Sequence, residues 1–388
     1  MPTPFAQSKT DPDIFAEYYK DGTASLLKFS ELDGYYVPWT GTHFVHTSTL
    51  INFNFDRIMR TDPRFKGFLC VNGSEASLGR FAVLPHVDHL TFLRRRKKGE
   101  NLGLLDFSTT KTERLFLNAL SPHKFSFLCG LADRRTVHTY ATMAAERDHI
   151  LEKATAYASV VDSFVDKTSK RMLLARLRSI LSLDMSFIVD NHYDVGLEYF
   201  NPIDEEFSFV LRDTEIFCDV GASFGDCVMR FAETVHNLDG SRIIAFEPNT
   251  VEYARLRSLE HFLPLKAHKA IVSDNVGSKE FVTDPNNLHG SSSSETAAGI
   301  KERTQMVTLD AACGNATLIK IDAEGAEPFI ILGARRLLEN SQCRLATCVY
   351  HLPGDLLTTI DLLGSMGRTK FRFRQHHPSL WDGVLYFD

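Results

Sequence analysis

From about residue 200 to the end of the chain, short apolar runs alternate with helix-forming stretches, and this alternation constrains the fold more than any other feature. Runs rich in β-branched and aromatic residues occur at 215–220, 242–247, 269–273, 305–309, 318–322 and 345–350, and KFRFRQ and GVLYFD close the chain. Strands that alternate with helices form largely parallel sheets covered on both faces. We therefore predict an α/β fold with a doubly wound sheet, whose ligands lie beyond the carboxyl ends of the strands.

A turn with two glycines follows the first run, in the stretch EIFCDVGASFGDCVMRF. Gly221 permits a sharp turn and Gly225 permits close packing of the turn and the next helix. Ser223 stands where a G-x-G-x-x-G dinucleotide motif has its middle glycine, and Asp219 and Asp226 flank the turn. These carboxylates would repel a pyrophosphate but attract the ammonium and sulfonium groups of S-adenosylmethionine. The charges therefore favour S-adenosylmethionine over a dinucleotide.

The ends of the next two runs also carry candidate cofactor ligands. Glu247 directly follows the apolar run in RIIAFEPNT, and an acid at such a strand end accepts hydrogen bonds from ribose hydroxyls. The alternative is that Glu247 is only an acid at the start of the next helix. Pro248 stops the strand, and Asn249 or its neighbours are placed to line the adenine. The run that ends in AIVSDN would place residues 270–274, which begin with Ala270, at the edge of the adenine. A plain junction between a strand and a turn explains this stretch almost as well.

The stretch LIKIDAEGAEPFIILGA crowds four charged residues onto a strand end that should be buried: Lys320, Asp322, Glu324 and Glu327. Buried charge is costly unless it is paired or used. In the functional interpretation Asp322 faces the transferred methyl group, and Glu324 and Glu327 begin the following helix. A purely structural interpretation requires several ion pairs.

His351 follows another strand, in CVYHLPGDLL, and a histidine there is suited to accept a hydroxyl proton near neutral pH. The alternative for a lone histidine is a hydrogen-bonded loop residue, and His376 and His377 are further candidates for the base. The sequence contains no H-E-x-x-H and no paired Cys/His spacing, and no second acidic pair follows Asp322. We therefore predict no metal site.

Before residue 200 the patterns are weaker. Runs at 67–71 and 125–130 predict strands of a smaller α/β domain, and NGSEASLGRF after the first resembles a degraded nucleotide-binding turn. The basic run 94–98 is interpreted as a helix end or solvated loop. Helix formers dominate 138–190, with Thr168 or Ser169 as N-cap. We predict an N-terminal domain at 1–150, a helical connector at 151–200 and the cofactor-binding domain at 201–388.

Composition and net charge limit which binding partners and which cellular compartment we expect for the protein. The net charge of −6 argues against binding to nucleic acid, and no stretch is long and apolar enough to span a membrane. The seven cysteines form an odd set without a C-x-x-C, which predicts buried free thiols and, with no signal peptide, a cytoplasmic protein. We interpret LHGSSSSETAAG, 288–299, as either a mobile loop on the substrate side or an inert linker.

Taken together, FCDVGASFGDCVMRFA, IIAFEPN, TLIKIDAEGAEPFIILGA and YHLPGDL resemble the FkbM family of S-adenosylmethionine-dependent methyltransferases over roughly 155–388. The resemblance implies a class I methyltransferase fold, Rossmann-like, with strand order 3-2-1-4-5-7-6. It assigns the motif beside the transferred methyl to Asp322 and Glu324, with Ala323 replacing the more usual Val. The residues it assigns to the cofactor are Asp219, Gly221, Ala222, Gly225, Asp226 and Glu247, with Ser223 as a tolerable departure.

The expected activity is therefore O-methylation, by S-adenosylmethionine, of a hydroxyl on a sugar, a glycan or a secondary metabolite. In this interpretation His351 or Asp322 removes the hydroxyl proton. The expected partners are that small-molecule or glycan acceptor and, in a homodimer, a second copy of the chain. Two alternatives remain open: an NAD-dependent oxidoreductase, and a regulatory module that keeps the cofactor pocket without catalysis.

Overall fold

A computed structural model describes residues 9–39, 62–70, 84–107, 117, 124–126, 128–129, 140–192, 198–200, 208–284, 287–292, 300–378 and 380–388. The chain divides into two compact units, one of 1–159 with 174–192 and one of 160–173 with 193–388. The predicted bounds 1–150, 151–200 and 201–388 stay a prediction, because compactness alone does not define a domain. In the described ranges no helix combines the length and apolar character needed to cross a bilayer.

The first unit contains a five-stranded parallel sheet in the order β3-β2-β1-β4-β5. Its strands are β1 Gly34–Trp39, β2 Phe65–Cys70, β3 His86–Asp88, β4 Leu102–Asp106 and β5 Lys124–Ser126. Its core includes Tyr36, Leu69, Phe92, Leu102 and Leu104. The predicted runs at 67–71 and 125–130 overlap β2 and β5, whereas the turn NGSEASLGRF lies outside the described residues.

Within the described ranges before residue 193, the helices are α1 Asp13–Ser30, α2 His89–Lys97, α3 Tyr140–Glu152, α4 Ala154–Ser163, α5 Lys167–Ser182 and α6 Ser186–Val189. The basic run 94–98 forms the end of α2, as predicted. The N-cap of α5 is Asp166, whose carboxylate accepts from the Ser169 backbone N–H at 2.8 Å. The prediction of Thr168 or Ser169 was therefore wrong by two to three residues, because the carboxylate reaches the free N–H group of the first turn.

The second unit is built on a seven-stranded sheet in the order β15-β16-β14-β13-β6-β7-β8. Its strands are β6 Ile216–Val220, β7 Arg242–Phe246, β8 Leu265–His268, β13 Leu318–Ile321, β14 Arg344–Cys348, β15 Phe371–Gln375 and β16 Gly383–Phe387. The pairs from β8 to β14 are parallel and the last hairpin is antiparallel. Read from β8 and numbered along the chain, the strand order is 3-2-1-4-5-7-6. The predicted α/β class with a largely parallel sheet is confirmed.

A second, four-stranded sheet in this unit has the order β11-β10-β12-β9. It consists of β9 Ala270–Val272, β10 Gly277–Asp284, β11 Asn287–Ser292 and β12 Ile300–Val307. The runs predicted at 269–273 and 305–309 belong to this sheet and not to the main one, whose third strand is β8. Part of the predicted loop 288–299 is strand β11, and residues 293–299 lie outside the described part.

The helices of the second unit follow the strands: α7 Asp226–Thr234, α8 Thr250–Ser258, α9 Leu309–Ala312, α10 Glu327–Gly333, α11 Arg335–Glu339 and α12 Asp355–Ser365. Phe217, Phe231, Ile243, Leu256 and Leu318 belong to the buried core that joins the main sheet to its helices. All seven cysteines are free and buried, as predicted. This rigid sheet holds the strand ends at which the candidate site lies.

Candidate functional site

Strands β6 and β13 are neighbours in the middle of the main sheet, and the chain leaves both at the same edge. After β6 the chain continues to β7 and β8 on one side, whereas β13 and β14 lie on the other. The strand order therefore reverses between β6 and β13, which is where open α/β sheets bind their ligands. The residues directly after these strands are the turn at 221–225 and Asp322.

The turn after β6 is shaped by two glycines in left-handed backbone conformations. Gly221 has φ 73° and Gly225 has φ 89°. A Cβ on Gly221 would lie 1.8 Å from the carbonyl oxygen of Asp322, so no larger residue fits there. The backbone N–H groups of Gly221 and Ala222 both donate to the carbonyl of Phe246 at 3.1 Å. The turn is thus held between the ends of β7 and β13, and the left-handed φ of Gly221 confirms the sharp turn predicted there.

Glu247, at the end of β7, is held in place by backbone donors. Its carboxylate accepts from the N–H groups of Ser223 at 2.9 Å and Asn249 at 2.8 Å. Burial and then the nearby charge of Glu252 raise the pKa of Glu247 to about 7. Asn249 is fully buried and accepts from the Val251 N–H at 2.9 Å, so it caps α8. The predicted contact of Asn249 or its neighbours with adenine stays a prediction.

A cavity of about 730 Å³ lies over the turn and the strand ends. Seven of the predicted site residues line it: Gly221, Ser223, Glu247, Pro248, Ala270, Asp322 and Glu324. Six others are not among its lining residues: Asp219, Ala222, Gly225, Asp226, Asn249 and His351. The predicted cofactor turn and acids thus meet at one cavity, but the two aspartates on which the charge argument rested do not face it.

Asp219 and Asp226 are placed differently from what the charge argument assumed. Asp219 is fully buried with its Oδ1 3.1 Å from the Lys320 Nζ, and burial raises its pKa to about 6. Asp226 is exposed in the first turn of α7. The acids that do line the cavity are Glu247, Glu252, Asp274, Asp322 and Glu324. The cavity is therefore acidic through other residues, with Lys279 as a cation on its wall.

Sequence reasoning placed Ile271 at the adenine edge, within residues 270–274, but missed the rest of the apolar wall of this cavity. The wall includes Ile271, Phe281, Met306, Phe329 and Ile330. Ile271, Phe281 and Met306 form a small buried cluster on the four-stranded sheet. No local signal ties that sheet to the cavity, because its strands come together only in the folded chain. Phe329 could have been found, since it follows IKIDAEGAEP directly.

Asp322 lies at the cavity with a dense set of partners. The hydroxyls of Tyr199 and Tyr350 each donate to one of its oxygens, at 3.2 Å in both cases. Burial alone would raise the pKa of Asp322, but the charges of Lys320 and His351 outweigh burial and hold that pKa below its usual value. Asp322 is therefore a carboxylate at neutral pH. Neither tyrosine was predicted, and Tyr199 lies 123 residues before Asp322.

His351 lies between carboxylates. Its Nδ1 is 2.9 Å from Glu327 Oε1, and its Nε2 is 3.3 Å from Asp322 Oδ1 and 3.9 Å from Glu324 Oε2. Burial opposes protonation, but Glu327, then Asp322 and Glu324, outweigh it and raise the pKa of His351 to about 10. An imidazolium cannot accept a proton, so the charges around His351 disfavour its predicted role as the base.

The same residues bear on metal binding. Asp322, Glu327 and His351 offer ligand atoms within 4.8 Å of one another, a spacing at which a metal ion could be held. The two acids lie nearest to different nitrogens of the ring, and the histidine must lose its proton before it can ligate a metal ion. The protonated ring itself supplies the positive charge between them, and the absence of a metal stays a prediction.

The two alternative histidines lie elsewhere in this unit. His376 is fully buried, and its Nε2 is 2.6 Å from the hydroxyl of Tyr386, which in turn accepts from the Tyr199 N–H at 3.0 Å. Neither His376 nor His377 lines the cavity. His376 therefore supports the segment that carries Tyr199, and its place in the fold gives it no direct access to a ligand in the cavity.

Residues 219–368, less than half of the chain, match the sequence model of the methyltransferase FkbM domain. No curated protein sequence resembles the chain closely enough to count as a match.

The fold of the chain is similar to that of the crystal structure of methyltransferase FkbM from Methylobacillus flagellatus KT. The identity is 18% and the TM-score 0.69, over 97% of this chain and 100% of that one. A precorrin-6y C5,15-methyltransferase from Geobacter metallireducens GS-15 is more distant, with 15% identity and a TM-score of 0.27 over 46% of this chain and 80% of that one.

Proposed function

Residues 219–368 form an FkbM methyltransferase domain, and from this premise we propose that the protein is an S-adenosylmethionine-dependent O-methyltransferase. Its acceptor would be a hydroxyl of a sugar, a glycan or a secondary metabolite. The observation that carries the proposal is that Glu247, Gly221 and Asp322 share one cavity at the point where the strand order reverses.

The residues around the cavity offer chemical groups that suit the ribose, the adenine and the amino acid end of the cofactor in turn. Glu247 is oriented by two backbone donors and suits a ribose diol. The apolar group Ile271, Phe281 and Met306 suits the faces of an adenine ring, with Asp274 as an acceptor for its amino group. The carboxylates of Asp322 and Glu324 suit a cationic amino acid end. When bound, S-adenosylmethionine supplies a methyl group that is already activated on a sulfonium.

The chain's own residues then position the acceptor hydroxyl and remove its proton. Because the donor is activated, positioning supplies most of the rate and a weak base suffices. Asp322 is held by Tyr199 and Tyr350 and is ionised, so it accepts the proton. The His351 imidazolium orients Asp322 and balances its charge.

The cofactor is tested by calorimetry with S-adenosylhomocysteine and with NAD on the full chain. We expect S-adenosylhomocysteine to bind and NAD not to bind; the reverse result would establish the dinucleotide alternative. Glu247→Gln should weaken S-adenosylhomocysteine binding, because a neutral amide is a poorer acceptor for ribose hydroxyls. The matched control is Glu280→Gln, which removes an exposed acid paired with Lys301 at 2.8 Å. An equal effect of both variants would contradict the assignment of Glu247.

Catalysis is tested with methyl-labelled cofactor and a panel of sugars, glycans and hydroxylated metabolites. Asp322→Asn should abolish transfer while S-adenosylhomocysteine still binds, although more weakly than to the wild type because Asp322 also faces the cationic end of the cofactor. A pH–rate profile at saturating cofactor separates the two candidate bases: an acid limb below about 4 supports Asp322, whereas a limb near the His351 pKa of about 10 would return the role to a neutral His351. Cofactor binding without transfer to any member of the panel would favour the regulatory module.

A further inference from the structure

Lys320 is a cation in the middle of a central strand, where parallel sheets otherwise carry aliphatic side chains. It lies on β13, between β6 and β14, with only 2% of its surface exposed. Its register partner on β6 is Asp219, and its Nζ is 3.1 Å from Asp219 Oδ1. A buried ion pair is commonly no more stabilising than well-packed apolar residues of the same volume. Stability of the sheet alone therefore does not account for Lys320.

The ammonium group of Lys320 reaches beyond Asp219 to the cofactor turn. It donates to the carbonyl oxygen of Gly221 at 2.8 Å and lies 3.4 Å from that of Val220. These carbonyls belong to the residues at which β6 ends and the turn begins. Lys320 thus fixes the direction in which the backbone leaves the strand.

The backbone of Asp322 lies next to the same two residues, Val220 and Gly221. The Asp322 N–H donates to the Val220 carbonyl at 3.1 Å, and Gly221 lies so close to Asp322 that no Cβ fits between them. Lys320 also lies 5.5 Å from the centre of the Tyr199 ring, whose hydroxyl donates to Asp322. The turn, the backbone of Asp322 and the tyrosine that orients the Asp322 carboxylate therefore meet at the corner that Lys320 holds.

Charge links Lys320 to both acids. Burial alone would raise the pKa of Asp322, and among the charges that oppose burial Lys320 contributes most. Burial would likewise lower the pKa of Lys320, but Asp219 first, and also Asp322, outweigh it, so the ammonium form persists. Asp219 has no access to the cavity and serves as the fixed partner of this cation.

We propose that Lys320 is a positioning residue that fixes the cofactor turn at Gly221 and supplies the counter-charge for both Asp219 and Asp322. The identity of the cofactor and the role of Asp322 as base rest on the proposed function, whereas the contacts of Lys320 do not. Since Lys320 touches neither cavity nor acceptor, it acts through the residues that do.

The test compares Lys320→Met with the double variant Lys320→Met/Asp219→Asn. The single variant leaves Asp219 buried without a partner and should be destabilised, whereas the double variant removes both charges and should regain stability. We expect the double variant still to bind S-adenosylhomocysteine at least about tenfold more weakly than the wild type, because the turn has lost its anchor. Lys301→Met, which breaks an exposed ion pair with Glu280, is the matched control and should bind normally.

The second readout is the ionisation of Asp322, measured by difference titration of each protein against the same protein with Asp322→Asn. An opposite charge within a few ångströms lowers a carboxyl pKa by about 1–3 units. We therefore expect the Asp322 transition of the double variant to lie above that of the wild type, by less than this amount because the like charge of Asp219 is removed as well, with the acid limb of the pH–rate profile moved equally.

The proposal is overturned if the double variant regains both S-adenosylhomocysteine affinity and the wild-type titration of Asp322, since Lys320 would then be only half of an ion pair. Failure of the double variant to fold also contradicts it, because the proposal gives the buried charge pair no further structural role. If the wild type does not bind S-adenosylhomocysteine, the proposed function fails, but the titration of Asp322 still decides whether Lys320 supplies its charge.

Discussion

Gly221→Ala is the substitution for which the structure gives the clearest magnitude. An alanine at φ 73° is in the left-handed region, which costs about 1–2 kcal/mol. Its Cβ would also lie 1.8 Å from the Asp322 carbonyl oxygen, a backbone atom that cannot rotate away. Overpacking of this kind costs about 1–3 kcal/mol more. We therefore expect the variant to lose about 2–5 kcal/mol of unfolding free energy.

Gly367→Ala separates the backbone strain from the collision. Gly367 has φ 80°, close to that of Gly221, but a Cβ there would meet no atom within 4 Å. This control should lose only the strain, about 1–2 kcal/mol. The measurement is denaturant unfolding of both variants, followed by calorimetry with S-adenosylhomocysteine.

The two variants should differ in binding as well as in stability. In Gly221→Ala the turn or Asp322 must move, so S-adenosylhomocysteine affinity should fall at least about tenfold, the equivalent of 1.4 kcal/mol. Gly367→Ala should bind as the wild type does. If both variants lose the same stability and both bind normally, the close approach of Gly221 to Asp322 does not shape the cofactor site.

The remaining predictions concern pH and buried charge. Because burial raises the pKa of Glu247 to about 7, S-adenosylhomocysteine affinity should rise with pH through about 7 in calorimetry between about pH 5.5 and 8.5. Glu247→Gln should reduce this dependence and leave only the part that comes from Glu324 on the same cavity, whose pKa is also raised to about 7. Because the pKa of the buried Glu247 is raised, the folded chain also holds a proton that the unfolded chain releases near 4.5. Unfolding free energy should therefore fall as pH rises from about 4.5 to 7, by at most about 1.4 kcal/mol per pH unit, and a rise in denaturation experiments would contradict the assignment. Arg344 pairs with the buried Glu215 at the opposite end of β6 from the turn, so Arg344→Met should cost about 3 kcal/mol in denaturant unfolding and leave S-adenosylhomocysteine affinity unchanged.

The sequence alone located most of the strands of the main sheet and the residues at their ends. Gly221, Glu247 and Asp322 were predictable because each ends an apolar run and each is a residue type that a strand interior disfavours. The same reasoning from neighbouring residues placed 269–273 in the main sheet, whereas this segment belongs to the four-stranded sheet. A short apolar run shows that a segment is extended and buried, but the sheet that accepts it is decided by pairing, and β9 pairs with β12.

What only the tertiary structure decided is which charges meet. Asp219 was expected at the cofactor, yet it is paired with Lys320 because the two strands lie side by side in register. His351 was expected to be a free base, yet Glu327 and Asp322 hold it as a cation from 24 and 29 residues away in the chain. Strand ends and turns are encoded in neighbouring residues, whereas the ionisation of a side chain depends on burial and on charges brought close by the fold. The sequence therefore determined where the site lies, and the packing of β6 against β13 determined which of its acids face the cavity.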